Sequence, residues 1–446
     1  MKRKMNVITA GITLLIVFAL PAIGQQAPPS ATSTVQAVTP KCSPHQHWDA
    51  AMAMCVAGEA PATTSPCQLD SSRDADSSAC VPEMNPETSL MFHINQFMLY
   101  SSTTGKRGES RTTGPAMWML MYDAALTPSN HLRIKAMGSP EQYTVRDKGT
   151  PQLLQTEHID SFHAHDTFLA FEVRDVIALG ANGSQRLTLL FAPRGEAAIG
   201  PVPFMHRDSA EGNPDAPLAH ALQDGFHDVS TVVGVEYQRS RTTVEVTGFS
   251  GHDLRWPLPL HRVDSYSFRV NQVIDPHFSV GASYADALLP EDAGGALHNQ
   301  FVAAWLTTSH AARGGTLKSS LIWGQAHAHG GAAFDSFLEE LVYQHNNDKI
   351  FGRAEILEIA PAQLDVEVPI GAANPKWVGA LTAGYERTLF RTGKLMLYIG
   401  GSYTRDHVPT DFGPAYGSAP AGAKVYLRIK IDNASMSGEA MPGMEQ

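Results

Sequence analysis

The stretch of residues 264–287 reads DSYSFRVNQVIDPHFSVGASYADA and decides the fold class. In its first half, apolar Tyr266 and Phe268 alternate with polar side chains such as Arg269. Successive side chains of a strand point to opposite faces, so this segment has one apolar and one polar face. The pair Asp275-Pro276 then separates it from a second alternating segment, as in a hairpin. The stretch therefore predicts two antiparallel strands with an apolar outer and a polar inner face.

The same alternation recurs on both sides of this hairpin, from about Leu90 onward. The sixteen predicted strands are 91–100, 115–124, 131–138, 166–176, 186–196, 228–238, 241–250, 264–274, 277–287, 300–310, 315–326, 334–345, 348–359, 376–387, 394–405 and 422–431. Every second connection is short, such as 239–240. Those between them are mostly long, such as 139–165, 197–227 and 288–299.

Strands of this length cross a bilayer when tilted, and a meander with alternately short and long turns is typical of a transmembrane barrel. The sequence thus predicts an all-β fold: an antiparallel up-and-down barrel of about sixteen strands over residues 89–432. Short turns are periplasmic in such barrels, so both termini are expected there. A soluble propeller is the main alternative. It would need a repeat of about 40 to 50 residues with blade motifs, and none is found.

The composition excludes two classes of protein. Of 446 residues, 43% are hydrophobic, which is too apolar for a disordered chain. The 33 basic residues are outnumbered by 44 acidic ones, and the formal net charge is −11. A nucleic-acid partner is not expected, because that would require an excess or a patch of basic residues.

The N-terminal region indicates export. Residues 1–24 combine Lys2, Arg3 and Lys4 with an apolar stretch and small residues before a cleavage site, as a signal peptide does. Residues 25–41 are a flexible linker rich in Pro, Ser and Thr. The expected location of the exported product is the outer membrane of a Gram-negative bacterium, with lipid as the partner of its outer face.

All four cysteines lie in residues 42–88. Twelve residues separate Cys42 from Cys55, and the same spacing recurs 25 residues later between Cys67 and Cys80. An oxidising periplasm favours disulfides, so the repeat predicts the pairs 42–55 and 67–80 in a small disulfide-stapled module. Four unpaired thiols are the alternative.

At this point the chain resembles the outer-membrane β-barrels of Gram-negative bacteria, and in strand number it is similar to the sixteen-stranded porins. The resemblance rests on the pattern of residues 90–431. It implies that the third external loop, 197–227, folds into the channel as a constriction carrying Asp208, Glu211, Asp215 and Asp224. Analogy also suggests a homotrimer, although the sequence leaves the oligomeric state open. The chain departs from the family by continuing past Ile431 without a terminal aromatic residue.

Charged residues on the polar faces of the strands are predicted to line a wet lumen, because they are too polar for hydrocarbon. They are Glu172, Arg174, Glu245, Arg269, Arg353, Glu355, Arg428 and Lys430. The acidic loop residues favour cations, and the basic wall residues oppose that preference.

Histidine and methionine clusters suggest copper as a ligand, because thioether and imidazole groups suit Cu(I) and Cu(II). His45, His47, Met52 and Met54 lie within the first cysteine loop, and Met436, Met441 and Met444 lie in the tail, residues 433–446. This composition is similar to that of outer-membrane proteins of copper-resistance systems. The pair His163 and His165 has a spacing that can present two imidazoles on one side. Incidental His and Met in flexible segments are the alternative.

Three further methionines alternate with large apolar residues in one strand. If Trp118, Leu120 and Tyr122 face lipid, Met117, Met119 and Met121 line the lumen and could pass a soft metal. Adaptable packing beneath a loop is the simpler interpretation.

Catalytic motifs are absent from the sequence, including G-x-S-x-G and H-E-x-x-H. Ser309-His310 and His165-Asp166 are candidate pairs, but adjacent strand residues point to opposite faces. The leading hypothesis is therefore a channel for small polar solutes or metal ions, and the protein is not expected to be an enzyme. A copper-binding protein with the barrel as anchor ranks second, and an outer-membrane hydrolase ranks third.

Overall fold

The computed structural model describes residues 88–180, 184–251, 260–291, 295–328, 331–369 and 373–432, and the backbone of four short strands between residues 46 and 82. The strands between residues 88 and 432 form a closed antiparallel barrel of sixteen strands, so the predicted all-β barrel is confirmed. The predicted signal peptide, the predicted linker and the C-terminal tail lie outside the described residues.

The barrel strands follow each other in chain order, and the second is interrupted once. They are β1 (Ser89–Thr103), β2 (Ser110–Thr113 and Ala116–Thr127), β3 (Asn130–Gly138), β4 (Phe168–Leu179), β5 (Gln185–Gly195), β6 (Val229–Arg239), β7 (Thr242–Ser250), β8 (Ser265–Asp275), β9 (Phe278–Glu291), β10 (Gly295–Ala312), β11 (Gly315–Ala328), β12 (Ala333–His345), β13 (Asp348–Ile359), β14 (Lys376–Thr392), β15 (Leu395–His407) and β16 (Ala421–Asp432).

The ring closes where β16 pairs with β1, from Gly422 opposite Thr103 to Asp432 opposite His93. Alternation along each strand separates an inner from an outer face, as the sequence predicts. In β2, for example, Met119 is 3% exposed whereas Trp118 is 46% exposed. An even number of strands brings both ends of the ring, Ser89 and Asp432, to the end that carries the short turns.

One predicted long connection, 288–299, is wrong. The ladder between β9 and β10 continues without interruption from Phe278 opposite Thr308 to Glu291 opposite Gly295. The sequence of this region, with its Pro, Asp and Gly residues, resembles a loop. In the structure β9 and β10 remain paired through most of residues 288–299. They extend beyond the end of the ladder between β8 and β9, which stops at Tyr266 opposite Asp286.

Short helical turns occur only in the long connections of the described chain. They are Glu141–Thr144, Asp208–Ala210, His220–Gln223, Pro361–Leu364, Thr410–Phe412 and Gly413–Tyr416. No helix among the described residues is long and apolar enough to span a bilayer.

An apolar cluster lies at the end of the barrel that carries the long loops. It joins Leu154 of the second loop (residues 139–167) to Leu218 of the third loop, Leu357 of the barrel wall, and Phe412 and Tyr416 of the last loop (residues 408–420). All five side chains are almost completely buried. These loops therefore pack inward on each other and on the wall.

The predicted N-terminal module contains two short pairs of antiparallel strands. Gln46–Asp49 pairs with Met54–Ala57, and Ser71–Arg73 pairs with Cys80–Pro82. The register repeats at the 25-residue offset, because Trp48 lies opposite Cys55 and Arg73 lies opposite Cys80. The internal repeat is thus visible in the backbone. The predicted disulfides remain predictions, since Cys42 and Cys67 lie outside the described residues.

Candidate functional site

The connection between β5 and β6, residues 196–228, folds into the barrel interior and is called the third loop below. Its backbone is bound to the wall at separate points. The Gly200 N–H donates to Ser283 Oγ at 2.8 Å, and the Leu218 N–H donates to Glu355 Oε2 at 2.7 Å. These acceptors belong to β9 and β13, so the loop reaches across the lumen.

The two ends of the third loop also contact each other. The Ala197 N–H donates to the Phe226 carbonyl at 3.1 Å. Gly200 has a φ of +68°, and a Cβ at this position would lie only 1.7 Å from the Gln223 carbonyl oxygen. Only glycine fits both the backbone conformation and the close approach. The loop is therefore a closed unit within the barrel.

Arg207 is the central anchor of the third loop. Its guanidinium is almost completely buried and pairs through Nε with Glu340 of β12 and through Nη1 with Asp224 of the loop, the latter at 2.8 Å. Arg353 of β13 completes the network, because its Nε donates to Glu340 Oε2 at 3.2 Å. A buried guanidinium with two carboxylate partners holds both ends of the loop against one wall.

The other acidic residues of the predicted constriction are also paired. Glu211 accepts from Lys349 at 2.7 Å and from Arg428 and Lys430 at 3.4 Å each. Burial would raise the pKa of Glu211, but these three cations outweigh it and hold the pKa well below its ordinary value. Asp208 pairs with Lys318, and Asp215 pairs with Lys424. The structure thus brings all four predicted acids against basic partners.

The eight residues predicted to line the lumen all lie on the inner side of the wall. Glu172 pairs with Lys135 at 2.8 Å and Arg174 at 3.0 Å, and Arg269 pairs with Glu245 at 2.6 Å. Arg353, Glu355, Arg428 and Lys430 contact the third loop.

Several residues of these networks are missing from the sequence prediction. They are Lys135, Arg207, Lys318, Glu340, Lys349, Glu386 and Lys424. The wall residues among them occupy inward positions of the same alternation that identified the others, so that pattern could have found them. Arg207 carries no such signal, because it lies in an irregular loop.

Two cavities border the third loop. The larger, about 470 Å³, is lined by His93, Met117, Met205, His206 and Lys430 among others. The smaller, about 400 Å³, lies among Glu157, His163, His220, His227, Asp228 and Phe301. Residues of the third loop contribute to the walls of both cavities.

Four histidines of the second and third loops form a chain of neighbouring rings. The centroids of His163 and His165 are 5.4 Å apart, those of His165 and His227 are 5.9 Å apart, and those of His227 and His220 are 5.0 Å apart. The structure therefore brings both predicted metal ligands of the second loop together with His220 and His227 of the third loop.

In each of these four histidines the Nδ1 atom has an oxygen partner. His163 contacts Glu157 at 2.9 Å, His165 contacts Glu141 at 2.9 Å, and His220 contacts Asp224 at 2.7 Å. His227 contacts the Asp224 carbonyl at 3.4 Å. Within the described residues, the Nε2 atoms of His165 and His227 are buried and have no hydrogen-bond partner.

The pKa values of the third-loop histidines shift in opposite directions. Burial alone would lower the pKa of His220, but Asp224 and Glu157 outweigh it and raise that pKa. Burial lowers the pKa of His227 to about 4, and the neighbouring His220 and His165 add to this effect. Burial and Lys135 likewise lower the pKa of His206 well below its ordinary value. His227 and His206 are therefore neutral at neutral pH.

These shifts predict acid sensitivity of the docked loop. When the third loop is released from the barrel interior, His227 binds a proton below about pH 6.5. In the native structure His227 stays neutral down to about pH 4. The free energy of unfolding therefore falls as the pH falls from about 6.5 to about 4. The slope is up to about 1.4 kcal/mol per pH unit for one proton. We expect H227Q to melt with a weaker dependence on pH between 6.5 and 5 than the wild type. Parallel pH dependences in thermal melts would contradict the assignment.

The remaining predicted metal ligands cannot be placed. The side chains of His45, His47, Met52 and Met54, and residues Met436, Met441 and Met444, lie outside what the structure describes. Among the described residues, no three His, Cys, Asp or Glu side chains are assembled to hold one metal ion together. The N-terminal copper site therefore stays a prediction.

The two candidate catalytic pairs are engaged elsewhere. His165 contacts Glu141, and Asp166 Oδ2 accepts from Arg194 Nη1 at 2.9 Å. The His310 ring stacks on His277 with centroids 5.2 Å apart. In neither pair does the structure give a hydrogen bond between the two members.

No family model and no curated protein matches the sequence. Among solved structures, the chain is similar to an anion-selective porin from Comamonas acidovorans, with 10% identity and a TM-score of 0.50, over 77% of this chain and 100% of that one. It is also similar to Salmonella typhi OmpF in complex with daunomycin, with 8% identity and a TM-score of 0.49, over 77% of this chain and 97% of that one. A loop L8 deletion mutant of Vibrio cholerae OmpT is similar with 7% identity and a TM-score of 0.48, over 77% of this chain and 99% of that one. At these identities the likeness concerns the fold, which is that of a porin-like barrel.

Proposed function

We propose that the protein is an outer-membrane channel for small polar solutes or ions, with the third loop as its constriction. One observation carries the proposal: the third loop lies inside the barrel, is bound by charged pairs to the wall, and lines two cavities. Pores select by width and by the charges at their narrowest point. A loop that is held in the lumen by charged pairs narrows the pore and also places charges at its narrowest point.

The outer surface supports the membrane location. Outward residues such as Trp118, Tyr266, Leu321, Leu381 and Val425 are large, apolar and exposed. An apolar surface of this extent is unusual for a protein in water, and hydrocarbon would cover it. With the short turns on the periplasmic side, both termini and the cysteine module would lie in the periplasm.

Planar-bilayer recording of the full chain folded in detergent tests the channel. We expect discrete conductance steps, because two cavities remain between the barrel wall and the third loop. A boiled sample of the same preparation is the control. Folded protein, identified by its heat-modifiable migration on gels, that inserts without any conductance over pH 5 to 8 would contradict the proposal.

The histidine chain favours metal capture as a second candidate. Metal-binding histidines usually donate their second nitrogen to a carboxylate or carbonyl, which fixes the ring and leaves the other nitrogen for the metal. His163, His165, His220 and His227 all have such partners at Nδ1. On this hypothesis copper binds here and in the N-terminal module, and the barrel serves chiefly as an anchor. A homotrimer remains an expectation by analogy.

A further inference from the structure

Six methionines pack together on one side of the barrel interior, and we call them the methionine wall. They are Met91, Met117, Met119, Met121, Met137 and Met205. The chain has 16 methionines in total, so more than a third of them meet at one place. In the sequence only the run in β2 indicates such a feature.

Strand register places several of these methionines directly opposite each other. Met119 of β2 lies opposite Met137 of β3 and, on its other side, opposite His93 of β1. Met91 lies opposite Met121 in the same way. Directly opposite residues have Cβ atoms about 4.5 to 5.5 Å apart, which long thioether side chains bridge easily. Three neighbouring strands therefore contribute to one continuous thioether surface.

The third loop adds two donors to this surface. Met205 packs against the wall, and both Met205 and the adjacent His206 line the larger cavity together with Met117 and His93. His93 Nδ1 lies 3.3 Å from Asp432 Oδ2, a contact that orients its ring. Two thioethers and two imidazoles thus face one cavity, with further sulfur atoms behind them.

Apolar packing alone does not account for the concentration of sulfur. The two largest apolar clusters elsewhere in the described barrel are built from Leu, Ile, Val, Ala and aromatic residues and contain no methionine. Thioethers differ from these side chains chiefly in polarizability and in the lone pairs of sulfur, which make them ligands for soft metal ions.

We propose that the methionine wall binds a soft monovalent cation, Cu(I) or Ag(I), that enters from the larger cavity. The ligands are drawn from Met117, Met119, Met137 and Met205, with His93 or His206. The proposal rests on the proposed channel only for the route by which the ion arrives. It gives that channel a class of cargo that neither the barrel nor its charged pairs specify.

Silver binding to the full chain in detergent tests the site, because Ag(I) is stable in air and needs only a chloride-free buffer. The variant M117L/M119L/M137L/M205L removes four sulfurs and keeps the apolar volume, since Leu and Met are the best-tolerated exchange. We expect it to bind at least one Ag(I) fewer per barrel than the wild type in equilibrium dialysis. X-ray absorption should show a loss of sulfur neighbours around the remaining silver.

The matched control is M98L, because Met98 points outward and is 61% exposed. It should bind as much silver as the wild type. Methionines of the N-terminal module and the tail are present in every variant and contribute equally. A folded quadruple variant with wild-type stoichiometry and affinity would overturn the proposal and leave the wall as packing.

A double variant, M117L/M205L, covers the case in which the quadruple variant does not fold. It changes only the two sulfurs that face the cavity and should weaken silver binding at least tenfold, and unchanged affinity would overturn the proposal. Binding is measured without a membrane. Silver binding by a barrel that does not conduct would therefore contradict the channel and support the silver site. Conduction without silver binding would support the channel and contradict the silver site.

Discussion

An Arg207→Met variant should conduct several-fold more current than the wild type, because its third loop is no longer held in the lumen. The substitution leaves the buried Glu340 with Arg353 and Ser209, and leaves Asp224 with His220. Removing one partner of a buried charge pair costs about 3–5 kcal/mol, mostly as the penalty of the uncompensated charge. That loss favours release of the loop, which restores water to both carboxylates.

The matched control is Arg174→Met. Arg174 is also an inner-wall arginine, but its hydrogen bonds go to Glu172, which keeps Lys135 as a second partner, and none goes to the third loop. Its conductance should stay close to that of the wild type. An intermediate result is expected for Arg207→Lys, because an ammonium cannot bridge two carboxylates with the fixed fork of a guanidinium. Equal conductance of wild type and Arg207→Met would show that the docked loop does not limit the current.

Neutralising the four acids of the third loop, as D208N/E211Q/D215N/D224N, should make the channel select anions. In the wild type these acids offset the basic residues that they contact, among them Lys318, Lys424 and Lys430. The variant keeps the bases and loses the compensation, so a net charge of the opposite sign acts at the constriction. Fixed charges near low-dielectric walls concentrate counter-ions. Reversal potentials in a salt gradient should therefore shift strongly toward the anion limit.

A second quadruple variant controls for overall charge. E109Q/D147N/E367Q/D411N removes the same number of negative charges from exposed positions in other long loops. Exposed charges farther than the screening length, about 10 Å at 0.1 M salt, have little effect on the pore. This variant should keep the wild-type reversal potential. If the third-loop variant also keeps it, the four acids do not border the path of the ions.

The pairing in the structure also changes the expected selectivity of the wild type. From sequence, four acids in one loop favour cations. With Glu211 in contact with three basic side chains and Asp224 in contact with Arg207 and His220, the field of the loop is largely cancelled. We therefore expect only weak selectivity between simple cations and anions, and a larger role for width.

Strand number, inner face and the inward placement of charged residues were predictable because each depends on residues close in sequence. Alternation such as that of Tyr266 and Phe268 with Arg269 has a period of two whatever the strand pairs with. The same pattern placed Met119 inside and Trp118 outside. It failed at 288–299, where Pro290 and the following residues have loop composition although the hairpin continues.

The sequence by itself therefore determined an all-β chain of sixteen amphipathic strands with a polar interior, because side-chain alternation and turn composition are local properties of the backbone. Only the tertiary structure decided which groups meet. Asp215 and Lys424 pair across 209 residues of sequence, and Met205 reaches the methionines of β2 and β3 only because the third loop turns inward. Closure of the ring and docking of the loop bring such residues together, and both depend on contacts between residues that are far apart in the chain.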